Sequence, residues 1–132
     1  MTQNEKVLLL KDLCARLPYG VKVKFEYVIT SPAKIIGINK FFIECEDVTA
    51  NIEDVKPYLF PLSSMTEEQK NDCPIGETNL NIIKDNLGCY GIIEIPWRLS
   101  FLFIDWCNKN HFDYRGLIPL GLANDATGLN IY

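Results

Sequence analysis

The first segment of the chain has the apolar spacing of an amphipathic helix. Its apolar residues recur at helical intervals, and they are Val7, Leu9, Leu10, Leu13, Cys14 and Leu17. Thr2 followed by Glu5 predicts a capping box, because these two side chains satisfy free backbone N–H groups at a helix start. Pro18 disfavours helical geometry at the residue before it, so the helix is predicted to end at Leu17.

The next segment alternates instead, which predicts a strand with one buried face. Apolar residues occupy every second position from 21 to 29, and charged residues fill most positions between them. Two shorter strands are predicted over residues 34–38 and 41–46, joined by a tight turn at Asn39 and Lys40. Phe41, Ile43 and Cys45 are predicted to share one face of the second of these strands, with Glu44 and Glu46 on the other.

Prolines interrupt the middle of the chain. Pro57 and Pro61 predict an extended path from residue 56 to residue 64. Two interpretations stay open for this stretch. It either covers a sheet edge, or it serves as a docking segment in which Tyr58 and Phe60 contact a partner.

The region after this stretch has weaker signals. Ser64 and Glu67 predict a second capping box, opening a short polar surface helix over residues 65–72. Residues 73–79 are predicted to form a loop. Residues 80–86 are compatible with either a strand or a helix, and residues 89–95 favour a strand that glycines allow to bend.

The most apolar helical segment follows Pro96, a residue suited to the first turn of a helix. The helix is predicted to run from Trp97 to about Asn110. Because it is apolar on most sides, it is expected to be largely buried or to contact a partner. Four of its side chains are predicted core residues: Trp97, Phe101, Ile104 and Trp106.

Together these elements predict an α+β fold. A small antiparallel sheet is expected to pack against the N-terminal helix and the aromatic-rich C-terminal helix. The chain has 132 residues, 48% of them hydrophobic and 23% charged, which are ordinary globular values and exclude a wholly disordered chain. No repeat, low-complexity stretch or linker interrupts it, so residues 1–132 are predicted to form a single domain.

Charge and cysteine content narrow the function classes. The net charge of −4 argues against broad, non-specific DNA binding, which needs a basic face. The five cysteines include no CxxC pair, so neither a zinc ribbon nor a thioredoxin-type motif is present, and reduced, mostly buried thiols are expected. The apolar run at residues 7–10 is too short for a signal peptide or a membrane span. A soluble, cytoplasmic protein without a membrane partner is therefore expected.

The sequence has no motif of a known catalytic type. It lacks a P-loop, a GxGxxG fingerprint, a GxSxG elbow and an HExxH helix, and its single histidine cannot build a multi-histidine metal site. We therefore assign no catalytic residue, no metal and no cofactor from the sequence.

One polar cluster remains as a candidate site, formed by His111, Asp113, Tyr114 and Arg115. In the functional interpretation, His111 is a general base oriented by an aspartate, or part of a histidine–carboxylate metal site. In the structural interpretation, Asp113 caps a short turn that begins at Tyr114. Phe112 and Tyr114 are then anchored in the core, and Arg115 pairs with a surface carboxylate. The structural interpretation is the better supported one, since nothing in the spacing is specific for catalysis.

Lysines supply a second candidate. Lys22 and Lys24 share the outer face of one predicted strand, and Lys34 and Lys40 follow in the next elements. With Phe42 nearby, such a set is compatible with a local nucleic-acid-binding face. A solvated charged surface is the simpler interpretation in a chain that is acidic overall.

Three segments resemble a family of small uncharacterised proteins found in phages, prophages and mobile elements of gut anaerobes. They are DLCARLPYGVKVK, IEDVKPYLFPLSSMTEEQ and IDWCNKNHFDYRGLIPLGLANDATGLNIY. The resemblance implies a genomic setting and no activity, so no site residue is carried over from it. We expect a non-enzymatic accessory protein that binds a protein partner. The alternatives are a nucleic-acid-associated protein with a local basic face, and a small enzyme that uses His111.

Overall fold

The computed structural model describes residues 1–27, 32–85 and 97–132. Helix α1 spans Gln3–Arg16. The predicted capping box is confirmed at its start, because the Thr2 hydroxyl accepts the Glu5 N–H and the Glu5 carboxylate accepts the Thr2 N–H. The helix gives way to a 3₁₀ turn at Leu17–Tyr19, which contains Pro18.

Helix α1 buries only part of the predicted stripe. Its buried residues are Leu9, Asp12, Leu13 and Arg16, whereas Val7, Leu10 and Cys14 are exposed. Leu9 and Leu13 belong to the predicted stripe and are buried, so this part of the prediction is confirmed. The predicted burial of Val7, Leu10 and Cys14 is wrong, because the charged pair Asp12 and Arg16 completes the buried face in their place.

Six strands of the described residues form one sheet, and this confirms the α+β fold. Their bounds are β1 Lys22–Phe25, β2 Ala33–Ile38, β3 Ile43–Cys45, β4 Thr49–Ala50, β5 Val55–Leu59 and β6 Asn124–Asp125. The order is β4-β3-β2-β1-β5-β6, and neighbours are antiparallel except β5 and β6, which are parallel. Both edge strands have two residues, which leaves little edge for a further strand to pair with.

The alternation of the second segment is confirmed over its first half. Val21, Val23 and Phe25 are buried, and the lysines between them face outward. Tyr27 is 80% exposed and lies beyond β1, while the rest of the predicted strand falls outside the described residues.

Phe41 is 75% exposed whereas Ile43 and Cys45 are buried, so its predicted place on the same strand face as these two residues is wrong. The physical reason is the turn before β3. The Asn39 side-chain oxygen accepts the N–H groups of Phe41 and Phe42, which keeps both residues in the turn and delays the strand until Ile43.

The proline-rich stretch does not cover a sheet edge, because β5 lies between β1 and β6. Pro57 is opposite Val23 in β1. Hydrogen-bonded and non-hydrogen-bonded pairs alternate along an antiparallel ladder. Glu26 and Asp54 form a hydrogen-bonded pair, because the Glu26 N–H donates to Asp54 O. Pro57 and Val23 lie three pairs further along the ladder, so theirs is a non-hydrogen-bonded pair. The N–H that proline lacks would therefore have made no bond to β1.

The helices after β5 differ in detail from the prediction. Helix α2, Glu67–Asp72, is a polar surface helix as expected, but its capping box is formed by Thr66 and Gln69 rather than by Ser64 and Glu67. Helix α3, Gly76–Asp85, replaces most of the predicted loop, because Leu80 and Ile83 are buried on one face of it. The strand predicted over 89–95 lies outside the described residues.

Helix α4 spans Trp97–Asn110, as predicted, but only one face of it is buried. Phe103 and Cys107, four residues apart, are fully buried. Trp97 and Phe101 point away from that face and are 67% and 65% exposed, so their predicted core role is wrong. An apolar run that continues around a helix cannot bury every side of it against one neighbouring layer.

Two clusters of buried apolar side chains pack the helices and the sheet together. One lies between α1 and the sheet and is centred on buried residues such as Leu13, Val23 and Leu59. The other joins α3, α4 and the segment after α4, through residues such as Ile83 and Phe112.

Candidate functional site

The segment that follows α4 is attached to the end of β5. The Phe60 N–H donates to His111 O and the Asp113 N–H donates to Phe60 O, each at 2.8 Å. His111 adopts a left-handed conformation with φ +62°, which histidine tolerates better than most residues. This turn directs the chain from the helix onto the strand, and it places the polar cluster beside the sheet.

His111 is buried, with 8% of its surface exposed. Its ring stacks on Tyr132, with centroids 3.7 Å apart and planes 9° from parallel. Burial lowers the pKa of His111, and the positive charges of Arg16 and Lys22 act in the same direction, so that together they bring it to about 4. The imidazole is therefore neutral near pH 7, and its buried Nδ1 has no hydrogen-bond partner in the described structure.

Asp113 does not orient His111. Its Oδ1 accepts the Leu117 N–H at 2.9 Å, and its Oδ2 accepts the Ile118 N–H at 2.8 Å. Asp113 therefore accepts backbone N–H groups as a cap does, but the predicted turn beginning at Tyr114 is wrong, because the turn that it caps begins at Leu117. Burial raises the pKa of Asp113, while these two hydrogen bonds act in the opposite direction.

Tyr114 and Arg115 belong to a buried charged network rather than to an open site. Tyr114 is 2% exposed, which confirms that it is anchored in the core. The guanidinium groups of Arg16 and Arg115 lie 5.4 and 5.0 Å from the centre of its ring, within the range of cation–π attraction. Burial raises the pKa of the Tyr114 hydroxyl, so that group stays protonated.

The centre of this network is the ion pair between Arg16 and Asp12. Both side chains are fully buried, and two hydrogen bonds of 2.8 and 3.1 Å join them. Arg16 also donates to the carbonyl oxygens of Cys107 and Phe112, which connects α1 to the end of α4. Arg115 lies 3.4 Å from Asp12, so the prediction that Arg115 pairs with a surface carboxylate is wrong. The available signal was the four-residue spacing of Asp12 and Arg16, in phase with Leu9 and Leu13.

Tyr132 brings three of the predicted binding residues together. Its hydroxyl accepts the Lys22 N–H at 3.1 Å and donates to Tyr58 O at 2.8 Å. Its ring lies 6.0 Å from that of Phe60, and the Lys22 ammonium donates to Ile131 O at 2.7 Å. Lys22, Tyr58 and Phe60 therefore meet beside His111, in contacts that residues 131 and 132 already occupy.

Lys24 lies apart from this group. It faces Lys56 across the β1–β5 pair, and the two line a depression of about 150 Å³ together with Glu26, Asp54 and Asn124. Lys34 faces Lys22 across the β1–β2 pair. The sequence missed Lys56, whose position opposite Lys24 depends on the pairing of strands that are distant in sequence.

Lys40 and Phe42 belong to a separate groove of about 200 Å³ between α1 and the β2–β3 turn. Its apolar lining is formed by Val7, Leu10, Phe41, Phe42, Ile43 and Ile52. Its polar lining is formed by Gln3, Lys6, Asn39 and Lys40. No acidic residue is among the lining residues, although the chain as a whole is acidic.

The described residues give little support for a reactive thiol or for a metal site. Burial raises the pKa of Cys107 and raises that of Cys45 to about 11, so both stay as thiols near neutral pH. Cys14 is exposed, which corrects its predicted burial, and Cys89 lies outside the described residues. Within residues 1–27, 32–85 and 97–132, no group of three His, Cys, Asp or Glu side chains is placed to hold a metal ion. None of the helices in the same ranges has the length and hydropathy to cross a bilayer.

Comparisons with family models, with curated proteins and with solved structures found no match to this chain. The functional argument therefore depends on the geometry of the molecule itself.

Proposed function

We propose that the protein is a non-enzymatic, cytoplasmic accessory protein of a phage or mobile element, and that it binds a segment of a protein partner in the groove between α1 and the β2–β3 turn. The genomic setting is supported by the resemblance of three segments to a phage-associated family. The observation that carries the binding proposal is the groove itself, which combines an apolar lining with lysines and no carboxylate.

The apolar part of the groove is accessible. Phe41 is 75% exposed, and Phe42, Val7 and Leu10 are each 36–41% exposed. Contiguous exposed apolar surface typically marks an interaction site in a soluble protein. The side chains come from a helix and from a strand turn, so a partner segment would contact two elements at once.

The turn that carries the phenylalanines is preorganised. The Asn39 side-chain oxygen holds the N–H groups of Phe41 and Phe42 at 2.8 and 3.0 Å. The Lys40 ammonium lies 5.6 Å from the centre of the Phe41 ring. A surface that is already ordered loses less conformational entropy when it binds, so more of the contact energy is retained as affinity.

Charge identifies the kind of segment that fits. Lys40 forms no ion pair with any described residue, and Lys6 pairs with Glu53 at the surface. Exposed ion pairs contribute about 0–1 kcal/mol, so a partner carboxylate can compete for Lys6. We therefore expect a partner segment with an aromatic or aliphatic anchor and with neighbouring Asp or Glu residues.

The experiment is affinity capture from a host that carries the element, with mass spectrometry of the bound proteins. Wild type is compared with Phe41→Ser and Lys40→Glu. A matched control is Phe101→Ser, since Phe101 is a similarly exposed phenylalanine on α4. The expected result is a protein that is captured by wild type and by Phe101→Ser and lost from the two groove variants.

A random peptide display library supplies the second measurement. Peptides enriched on wild type are expected to combine an apolar residue with acidic ones, and to bind Phe41→Ser at least tenfold more weakly. If Phe101→Ser loses the partner while Phe41→Ser keeps it, the interface lies on α4 and the groove proposal is wrong. All variants are checked for unchanged melting temperature, which is expected because the substituted side chains are exposed.

A further inference from the structure

Four lysines lie on the outer face of the sheet in two directly opposed pairs. Lys22 of β1 is opposite Lys34 of β2, and Lys24 of β1 is opposite Lys56 of β5. Directly opposed residues of an antiparallel pair project from the same face, with Cβ atoms about 4.5–5.5 Å apart. Lys22 and Lys24 are two residues apart on one strand, so they share that face as well. The register therefore collects all four side chains on one surface.

This arrangement is unfavourable for the fold by itself. Like charges directly opposite each other destabilise a sheet. The ion pairs found in the described part of the chain leave out Lys24, Lys34 and Lys56. Lys22 donates to a carbonyl oxygen, which does not neutralise its charge. An anion bound between the ammonium groups would offset the repulsion.

We propose that this face binds the phosphate backbone of a single-stranded nucleic acid. The two lysine pairs are separated along β1 by two residues, which corresponds to about 6.6–6.8 Å. This separation is too long for the two phosphates of one pyrophosphate, and it suits successive phosphates of an extended strand. The surface is distinct from the groove, so this inference does not depend on the protein-binding proposal.

An aromatic side chain lies beside the lysines on the same face. Tyr58 is two residues from Lys56 on β5, and both are partly exposed while Pro57 between them is buried. The Tyr58 ring takes part in none of the aromatic contacts found among the described residues. Stacking of a base on such a ring, next to a basic track for the backbone, is the usual mode of single-strand binding.

Acidic residues border the face on two sides. Glu26 and Asp54 line the same depression as Lys24 and Lys56, at the end of β1 away from Lys22. The exposed Glu46 lies beside Lys34, because its N–H donates to Lys34 O. These carboxylates repel phosphate, so the strand is expected to cross the face between them, over Lys22 and Lys24. The net charge of −4 makes the expected affinity modest and strongly dependent on salt.

The test is fluorescence anisotropy of a labelled oligothymidylate at a series of salt concentrations. For single strands the logarithm of the association constant falls with the logarithm of salt by about 0.7 for each phosphate contact. Because each lysine pair is placed to hold one phosphate, the double variant Lys24→Ala/Lys56→Ala is expected to weaken binding and to make the slope less steep by about 0.7. The control is Lys70→Ala/Lys109→Ala, which removes the same charge from helices α2 and α4 and is expected to keep the wild-type slope.

Further variants distinguish a nucleic acid from another phosphate ligand. Tyr58→Leu is expected to weaken oligothymidylate binding without changing the salt slope, and to leave binding of inorganic polyphosphate unchanged. Glu26→Gln is expected to tighten binding of both. Melting temperatures report folding, and Lys24→Ala is expected to melt at the wild-type temperature or above it, since it removes a like-charge pair.

The proposal is overturned by any of three results. The first is an absence of oligothymidylate binding by wild type at low salt. The second is a Lys24→Ala/Lys56→Ala variant that keeps the salt slope of the control. The third is a Tyr58→Leu variant that binds oligothymidylate like wild type while polyphosphate competes fully, which would make the face a general phosphate site.

Discussion

Tyr132 lies flat against His111, with ring centroids 3.7 Å apart and ring planes 9° from parallel. The same side chain places its hydroxyl between the Lys22 N–H and Tyr58 O. The first residues of β5, up to Pro57, pair with β1. Phe60, just after β5, pairs instead with the segment that follows α4. Tyr132 therefore fills the position where one pairing partner of β5 ends and the next begins.

The first prediction concerns the hydroxyl of Tyr132. Tyr132→Phe keeps the ring and its stacking on His111 but removes the link between Lys22 and Tyr58. We expect the free energy of unfolding to fall by about 0.5–1.5 kcal/mol, the usual net contribution of a hydrogen bond. Urea denaturation measures it. Tyr19→Phe is the control, because Tyr19 is exposed and its hydroxyl has no bond to a described residue. Equal losses in the two variants would contradict the assigned role.

The second prediction is a dependence of stability on pH. Burial, together with the positive charges of Arg16 and Lys22, lowers the pKa of His111 from 6.5 to about 4. Between these values the unfolded chain binds a proton that the folded chain does not, so the free energy of unfolding falls as the pH decreases. Above about pH 6.5 His111 is neutral in both the folded and the unfolded chain, and the free energy of unfolding has its full value. Below about pH 4 the protonation of His111 has lowered the free energy of unfolding by about 3 kcal/mol.

The variant that tests this pH dependence is His111→Asn, because asparagine also tolerates the left-handed backbone of position 111. Denaturation curves between pH 7 and pH 4 are expected to show a shallower decline in the variant. Asp113 has the opposite effect on the free energy of unfolding at lower pH. Because its pKa is raised, the folded chain binds a proton at a higher pH than the unfolded chain does. A decline as steep in His111→Asn as in wild type would refute the role of His111.

The parts of the fold that the sequence predicted depend on local signals. The capping box of Thr2 and Glu5 is complete within four residues, and the alternation before Phe25 reports directly on one strand and its buried face. Helix α4 was predicted from its apolar residues and from Pro96 before it. Its buried side was not, because burial depends on which neighbours the helix meets and not on its own composition.

The candidate site could be predicted only in part, because its contacts join distant segments. Tyr114 has the anchoring role that local reasoning assigned to it, and Asp113 accepts backbone N–H groups, but at a turn three residues later than predicted. Arg16, in contrast, donates to the carbonyl oxygen of Phe112, 96 positions away. Tyr132 meets Lys22 at a separation of 110 positions. No local pattern encodes such pairs, so the central residues of the network were missed.

The third prediction concerns the buried ion pair. Arg16→Met removes the guanidinium that hydrogen-bonds Asp12 and leaves that carboxylate buried with only the more distant Arg115. Removing one partner of a buried pair typically costs about 3–5 kcal/mol, because the other charge stays uncompensated. Thermal and urea denaturation measure the loss, and Lys11→Ala on the exposed face of α1 is expected to stay within about 0.5 kcal/mol of wild type.

A double variant separates charge from packing at this ion pair. Asp12→Leu/Arg16→Met is expected to lose less free energy of unfolding than the two single variants lose in sum, because no unpaired charge remains at the pair. Strictly additive losses would indicate that the pair stabilises the fold through packing alone.

The last prediction compares the two tryptophans of the chain. Trp106 stacks on Phe112 with centroids 5.2 Å apart, and its indole N–H donates to Asp72 at 2.9 Å, joining α4 to α2. Trp97 is 67% exposed on the opposite side of the helix. Trp106→Ala is therefore expected to cost about 3 kcal/mol, and Trp97→Ala less than about 0.5 kcal/mol.

Each variant of this pair retains one tryptophan as a fluorescent reporter. Trp97→Ala should leave the emission of a partly buried indole that shifts to longer wavelength on unfolding, because Trp106 loses its aromatic neighbours. Trp106→Ala should leave an emission that changes little, since Trp97 is already in contact with solvent. A large loss of stability in Trp97→Ala, or a large emission shift of Trp97 on unfolding, would place that residue in a packed environment and reverse the assignment of the buried face of α4.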